Sequence, residues 1–250
     1  MDLTKRLAEL DRLKRQLDTL RPLDPVQVRN LSKLYQAAEV EYIYESNAIE
    51  GNSLTLRETA MVLAQGITIA GKPLRDHLEA LNHQAAFEYL KRLVDGKEPL
   101  TVSHLLELHK LILTRLDDEN AGRFRRVPVR IAGSTHVPPN AMKVPELIDA
   151  MLERYRRDAA TFHPVLVAAD LHERIAGIHP FVDGNGRTAR LVMNLHLLQN
   201  GFPLTIVSAE RPRRLAYYQA LEDTLQPEMF RQFTIERVEE SLRSYIELLG

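Results

Sequence analysis

From Leu3 to Leu249 the apolar residues of this chain return every three or four positions, and a sequence written in that period buries them by packing helix on helix. Leu3, Leu7, Leu10, Leu13, Leu17 and Leu20 follow at spacings of 4, 3, 3, 4 and 3, a stripe that suits either a coiled-coil seam or a face docked on the body. Docking is the simpler reading; a seam would leave a homodimer open. Arg21-Pro22-Leu23-Asp24-Pro25 ends that helix, with Asp24 as cap and Pro25 in the first turn of a second one running to about Glu50. Gly51-Asn52 stops it, and Thr55-Leu56-Arg57-Glu58 is a capping box for a helix to Gln65 with Gly66 behind it. Helical spacing continues over 73–94 and after Gly96, and further helices are predicted over about 145–160, 164–178, 186–200, 212–225 and 229–249. Only VPVRIAGSTHVP, from Val127 to Pro138, changes period. Its alternating β-branched residues around Ala132-Gly133-Ser134 predict a short hairpin with strands at about 127–131 and 135–138, which Pro128, Pro138 and Pro139 keep from joining a larger sheet. The expected fold class is therefore all-α, with one short β-hairpin.

Composition narrows the function classes. Lys and Arg number 33 against 34 Asp and Glu, a net charge of −1, so a mainly electrostatic nucleic-acid binder has no support and no nucleic-acid partner is expected. The 250 residues suffice for a sizeable core in one large domain with an appended helical segment. With no cysteine, thiolate catalysis, disulfides and cysteine metal sites are excluded. The N-terminus shows no secretory pattern, and no run approaches the roughly 18 apolar residues of a membrane span. The expected setting is cytoplasmic, with no membrane partner.

The chemistry concentrates in residues 179–190, His-Pro-Phe-Val-Asp-Gly-Asn-Gly-Arg-Thr-Ala-Arg, between two helical runs. Gly184-Asn185-Gly186 sits where a loop becomes a helix, so successive backbone N–H groups at a positive helix end can cradle a phosphate. Arg187 and Arg190 share one face of that first turn, where a cation opposes the helix dipole by about 0.3–1 kcal/mol each, which asks for an anion. His179 as a base, Asp183 as a metal ligand, the nest and two guanidiniums together form a site for polyphosphate chemistry. His163 and His172 have no comparable setting and are read as packing or helix-face residues.

HPFVDGNGRTAR resembles the signature of the Fic family (filamentation induced by cyclic AMP), H-x-F-x-[D/E]-G-N-G-R-x-x-R, at every specified position. The flanking HPVLVAADLHERIAGI and RLVMNLHLL and the stretch from Ala121-Gly122 through VRIAG to VPPNAMKVPEL also resemble the family, so the likeness covers roughly residues 40–225. It implies a Fic-type helical bundle divided into a 1–35 N-terminal extension, a 36–98 inhibitory-helix region, a 99–226 catalytic core and a 227–250 C-terminal helix. It also implies transfer of AMP from ATP to a hydroxyl of a target protein, with Mg²⁺ as cofactor and Mn²⁺ as the alternative. On that likeness His179 is the base, Asp183 holds the cation, and Gly184, Asn185 and Gly186 cradle the phosphates, Asn185 also donating to the α-phosphate. Arg187 and Arg190 take the β- and γ-phosphates, while Phe181 packs the loop. The related Doc toxins, which act as kinases, carry lysine where this chain has Gly186, so nucleotidyl transfer is favoured over phosphorylation.

Ser46-Asn47-Ala48-Ile49-Glu50-Gly51 resembles the family's inhibitory motif [ST]-x-x-x-E-[GN], which implies a pair between Glu50 and Arg190 at the γ-phosphate position. Glu50 is then a brake, a residue for hydrolysing AMP from modified proteins, or both. The hairpin, with Val127, Val129, Ile131 and Gly133, is either a structural clip or the family's flap, on whose edge an unidentified target protein docks as an added strand; the edge is favoured. Tyr217-Tyr218 resembles the adenine-side helix, against the alternative that the pair packs internally.

Overall fold

A computed structural model describes residues 3–20, 25–222 and 227–249 of the chain. The Asp24 cap and the Leu225 helix end expected from sequence lie outside the described residues. The helices are α1 (Leu3–Thr19), α2 (Pro25–Ile49), α3 (Leu56–Gln65), α4 (Leu74–Asp95), α5 (Val102–Leu113), α6 (Val144–Asp158), α7 (Pro164–Ile178), α8 (Asn185–Gln199), α9 (Arg211–Glu222) and α10 (Pro227–Leu249), with a 3₁₀ turn at Ala141–Lys143. The 35/36 division expected from sequence falls inside the continuous α2.

Local chemistry sets the ends. Thr55 Oγ1 accepts from Glu58 N–H at 3.2 Å while Glu58 Oε2 accepts from Thr55 N–H at 2.8 Å, and Gly66 closes α3 with φ +64°. Pro164 opens α7, with His163 Nδ1 accepting from Val165 N–H at 3.2 Å. His163 is thus a cap, a role its sequence setting did not show.

The antiparallel neighbours α7 and α8 form the centre. From Arg187 to Leu197 every side chain of α8 is buried, which requires partners on all sides. One core lies between α4, α5, α6 and these two helices, built on Leu90, Leu108, Ile148, Ile175 and Leu195 among others. A second lies on the other flank, where Met193 and Leu197 meet Phe230, Val238 and Leu242 of α10. Leu10, Leu13 and Leu17 belong to that second core, and Arg6 pairs with Glu236 and Glu239 at its rim. At roughly 1.5–3 kcal/mol per buried leucine, the α1 stripe is a face docked on the body of the chain.

The expected hairpin is not there. Residues 127–138 form no strand, nor does any other described segment. Gly133 (φ +77°) makes a turn closed by Ser134 N–H on the Ile131 carbonyl at 3.2 Å, but no ladder grows from it. Pro128, Pro138 and Pro139 lack N–H donors, and the carbonyls of Val127 and Pro139 accept instead from the Arg125 guanidinium at 3.1 and 2.6 Å. The segment holding Val127, Val129, Ile131 and Gly133 is a loop pinned by side chains. Thr135 N–H and Oγ1 donate to Glu222 of α9 at 2.5 and 2.7 Å, and His136 Nε2 donates to the Gly177 carbonyl at 2.8 Å. Among the described residues no helix is long and apolar enough to cross a membrane.

Candidate active site

The loop between α7 and α8 carries the site. Helix α7 ends when His179 turns left-handed (φ +51°), and Gly184 (φ +76°) starts α8 without a side-chain cap. A left-handed histidine is uncommon and needs support from its surroundings. Arg125 supplies it: Nε donates to the His179 carbonyl at 2.7 Å, and Arg125 N–H donates to the Pro180 carbonyl at 2.9 Å. His179 Nδ1 donates to the Ala176 carbonyl at 3.3 Å, which fixes the tautomer and leaves Nε2 with its lone pair. Burial, and secondarily the Arg125 charge, lowers the imidazole pKa from its ordinary value, so the ring is neutral near pH 7.

Inside the loop Phe181 is fully buried and stacked on His109, with ring centroids 3.6 Å apart. His109 Nε2 donates to the Asp183 carbonyl at 3.0 Å and Nδ1 accepts from Gly122 N–H at 3.0 Å. Burial pushes the His109 pKa down to about 4, consistent with this neutral pairing. The Asn185 side chain closes a two-bond ring on Phe181, accepting from its N–H and donating to its carbonyl, both at 2.9 Å. The amide thus braces the loop through Oδ1 and one Nδ2 hydrogen, and the second Nδ2 hydrogen stays available as a donor.

Asp183 is half exposed. Its Oδ1 accepts from Gly184 N–H at 2.6 Å, and Oδ2 pairs with Arg75 at 3.2 Å. Among the described residues no three His, Asp or Glu side chains converge as a cation cage. A single accessible carboxylate beside a phosphate nest fits Mg²⁺, which takes one or two carboxylates and completes its shell with water and substrate phosphates.

The two arginines, equally buried at 2% and 1% exposure, differ in how they are held. Arg187 lies 3.4 Å from Asp183 and from the buried Glu79, yet its Nε and Nη1 have no hydrogen-bond partner among the described residues. Every nitrogen of Arg190 has a partner. Nε donates to Ser46 Oγ and Nη2 to the Ser46 carbonyl, each at 2.8 Å, Nη1 donates to Tyr217 OH at 3.2 Å, and Nη2 also pairs with Glu50 Oε1 at 2.7 Å. Gly51 (φ +98°) turns the chain away after Glu50. The same carboxylate covers Gly186, where an added Cβ would collide with Glu50 Oε1.

The sequence motif thus brings His179, Asp183, Gly184, Asn185, Gly186, Arg187 and Arg190 together, and α2 delivers Ser46 and Glu50 to them. Tyr217 stands elsewhere than expected. It is buried beneath Arg190, donates to His172 Nε2 at 3.1 Å, and offers no open face for a base. Tyr218 is the more exposed of the pair and donates to the Ile49 carbonyl at 3.2 Å. His172, fully buried with its pKa pushed down to about 3 by burial, belongs to the support of the site. His109, Arg125 and Glu79 were missed from sequence. Their only signal is polarity at positions the fold buries, which a single chain does not reveal.

A family model described as the Fic/DOC family matches residues 99–197. "Protein adenylyltransferase Fic" of Drosophila melanogaster is 33% identical over 221 residues, covering 86% of this chain and 44% of that protein. The chain thus spans less than half the length of such curated relatives. Among solved structures, a fragment of Fic-1 from C. elegans superposes with TM-score 0.84 at 30% identity, covering 98% of this chain and 72% of that one. A Fic domain-containing signalling protein from Bacteroides thetaiotaomicron gives TM-score 0.86 at 28% identity, with 96% of each chain covered.

Proposed function

The chain belongs to the Fic/DOC family, and on that premise we propose that it is a self-inhibited protein adenylyltransferase, moving AMP from ATP to a hydroxyl side chain of a target protein. The observation that carries the reading is the pair of buried guanidiniums at the start of α8. Arg187 holds unpartnered donors beside the phosphate nest, and Arg190 is neutralised by a carboxylate from another helix.

In this reaction the target hydroxyl gives its proton to His179 Nε2 as its oxygen bonds to the α-phosphorus. The bond from that phosphorus to the bridging oxygen breaks, and pyrophosphate leaves. A neutral, tautomer-fixed imidazole suits the base role. Gly184 and Gly186, with the backbone N–H groups that open α8, take phosphate oxygens without side-chain obstruction. Arg187 and Arg190 stabilise the leaving pyrophosphate as charge develops on it. Mg²⁺ would be held by Asp183 with substrate oxygens and would supply further charge neutralisation there. Tyr218 is the member of the tyrosine pair available to the adenine.

Glu50 is the brake. Its carboxylate sits on Arg190 and over Gly186, where the terminal phosphate has to lie for productive attack. The 36–98 region thus supplies inhibition and the 99–226 region catalysis, with the target held at the loop 127–138. Incubation with α-labelled ATP and Mg²⁺ tests this. The expected result is weak labelling of wild type, strong labelling by Glu50→Gly, and none by Glu50→Gly combined with His179→Ala. Silence of Glu50→Gly despite ATP binding would overturn transfer as the main activity and shift the reading to removal of AMP, with Glu50 positioning water.

A further inference from the structure

Helix α4 carries a histidine, His83, that the reaction does not use and that is fully buried. Its Nδ1 donates to the side-chain carbonyl of Asn47 on α2 at 3.0 Å, and its ring meets Tyr42 of the same helix edge-on, with centroids 5.4 Å apart. Burial first, and then the charges of Arg187 and Arg190, push its pKa well below the ordinary value, so the ring is neutral. Asn47 and Tyr42 are buried as well, and His83 Nε2, Asn47 Nδ2 and the Tyr42 hydroxyl have no hydrogen-bond partner among the described residues. Unpaired polar groups in a core lower stability, and apolar side chains would leave none. The buried bond between Asn47 and His83 is better explained by the geometry it fixes than by the stability it adds.

That geometry is the end of α2. Ser46, just before Asn47, takes Arg190 on both its hydroxyl and its carbonyl at 2.8 Å, and Glu50, in the turn that follows, takes Arg190 Nη2 at 2.7 Å. The Asn47 carbonyl accepts from Glu50 N–H at 3.0 Å and from Asn52 N–H at 3.1 Å, so the turn that carries Glu50 closes on Asn47. Successive residues of a helix point in directions about 100° apart, which sends Ser46 to α8 while Asn47 reaches α4. A helix that rotates moves all its side chains together. The bond from Asn47 to a second helix therefore fixes the rotation of the last turn of α2, and with it the place of the Glu50 carboxylate over Gly186 and Arg190. Tyr42, earlier on α2, bears on the same ring and gives α2 a second point of contact with His83.

We propose that His83 is a positioning residue for the brake: through Asn47 it holds the last turn of α2 in the rotation that sets Glu50 on Arg190. The inference rests on the self-inhibited reading and adds the residue by which α4 regulates that site. His83 acts through Asn47 and takes no part in the transfer itself. Without the bond, the Glu50 carboxylate has more than one place to lie and covers Arg190 for less of the time, which frees the guanidinium for the terminal phosphate. The bond is directional, from a ring N–H to an amide oxygen, so an apolar side chain that fills the same space does not replace it.

The test titrates ATP and AMP into the full chain by calorimetry, for wild type, His83→Leu, His83→Asn, Glu50→Gln, and Glu50→Gln combined with His83→Leu. His83→Leu should bind ATP about fivefold more tightly than wild type, at the low end of ordinary coupling between sites, and should bind AMP, which lacks the outer phosphates, no differently. His83→Asn, which puts an amide N–H where the Nδ1 hydrogen stood, should stay near wild type. Beside Glu50→Gln the leucine should add nothing, because the carboxylate to be positioned is gone. If His83→Leu fails to fold, Asn47→Val breaks the same bond from α2 and carries the same expectations. A histidine that only packs would lower the melting temperature and leave the ratio of ATP to AMP affinity where it was. That outcome would overturn the proposal, as would a gain shared by AMP or one that persists beside Glu50→Gln. Failure of the self-inhibited reading looks different: Glu50→Gln then leaves ATP affinity unchanged, and the proposal falls with it. Failure of the positioning role alone leaves Glu50→Gln with its gain and His83→Leu without one.

Discussion

Residues 179–190 and residues 127–138 are neighbours in space built on opposite principles. In the first segment the polar side chains of Asn185 and Arg190 are held by named partners and the aromatic ring of Phe181 is buried. In the second, a handful of side-chain anchors suspend a loop whose Val127 and Val137 face solvent. The difference teaches where each task is placed. On the proposed function, chemistry needs atoms held in one geometry and the motif is over-determined, whereas recognition of a protein segment would tolerate adjustment and the loop is held at few points.

The largest effect that would break this contrast is expected at Asn185. Removing its amide in Asn185→Ala leaves the Phe181 N–H and carbonyl without partners in a buried setting, at about 1–3 kcal/mol for each such group. Urea unfolding should show a loss of several kcal/mol, and a neutral result would mean that the loop is held by packing alone.

Acid should expose the same dependence. His172, His109 and His196 are buried and neutral, with pKa values pushed down to about 3, about 4 and about 4. The unfolded chain binds protons that the folded chain refuses. Their contribution is thus complete above about pH 6.5 and is lost as pH falls through the window down to about 4. Each group contributes up to about 1.4 kcal/mol per pH unit in that window, so the three together approach about 4. His172→Gln should remove roughly a third of that slope, measured by denaturant unfolding across the window; an unchanged slope would show that this histidine titrates normally in the folded chain.

The smallest effect belongs to the loop. Glu222→Gln removes the charge that receives both Thr135 donors, on a side chain whose pKa Ser134 and then Thr135 hold down to about 2. Little change in melting temperature is expected, with faster proteolysis confined to about residues 131–136. Proteolysis spreading into 179–190 would erase the distinction between the regions.

The same contrast explains what the sequence made legible. Helix α3 was readable because Thr55, Glu58 and Gly66 act on near neighbours, and the phosphate nest because Gly184 and Gly186 lie together in the chain. Glu50 was found through resemblance, since nothing local says that its partner lies 140 residues on. The hairpin failed because Val127, Val129 and Ile131 alternate like a strand, while the determinants that forbid one are prolines and an arginine that captures the carbonyls. Tyr217 was misplaced for a related reason: its neighbour Arg190 comes from another helix, and sequence does not show which tyrosine of a pair turns inward.

The central claim is that Arg190 is neutralised either by Glu50 or by the terminal phosphates of the nucleotide. Calorimetric titration of ATP and of AMP into wild type and Glu50→Gln tests it most directly. ATP should bind the variant about tenfold more tightly, as expected when an opposing charge of about 1.4 kcal/mol is removed, while AMP, which lacks the outer phosphates, binds both proteins alike. Equal ATP affinity in the two proteins, or a gain shared by AMP, would contradict the account.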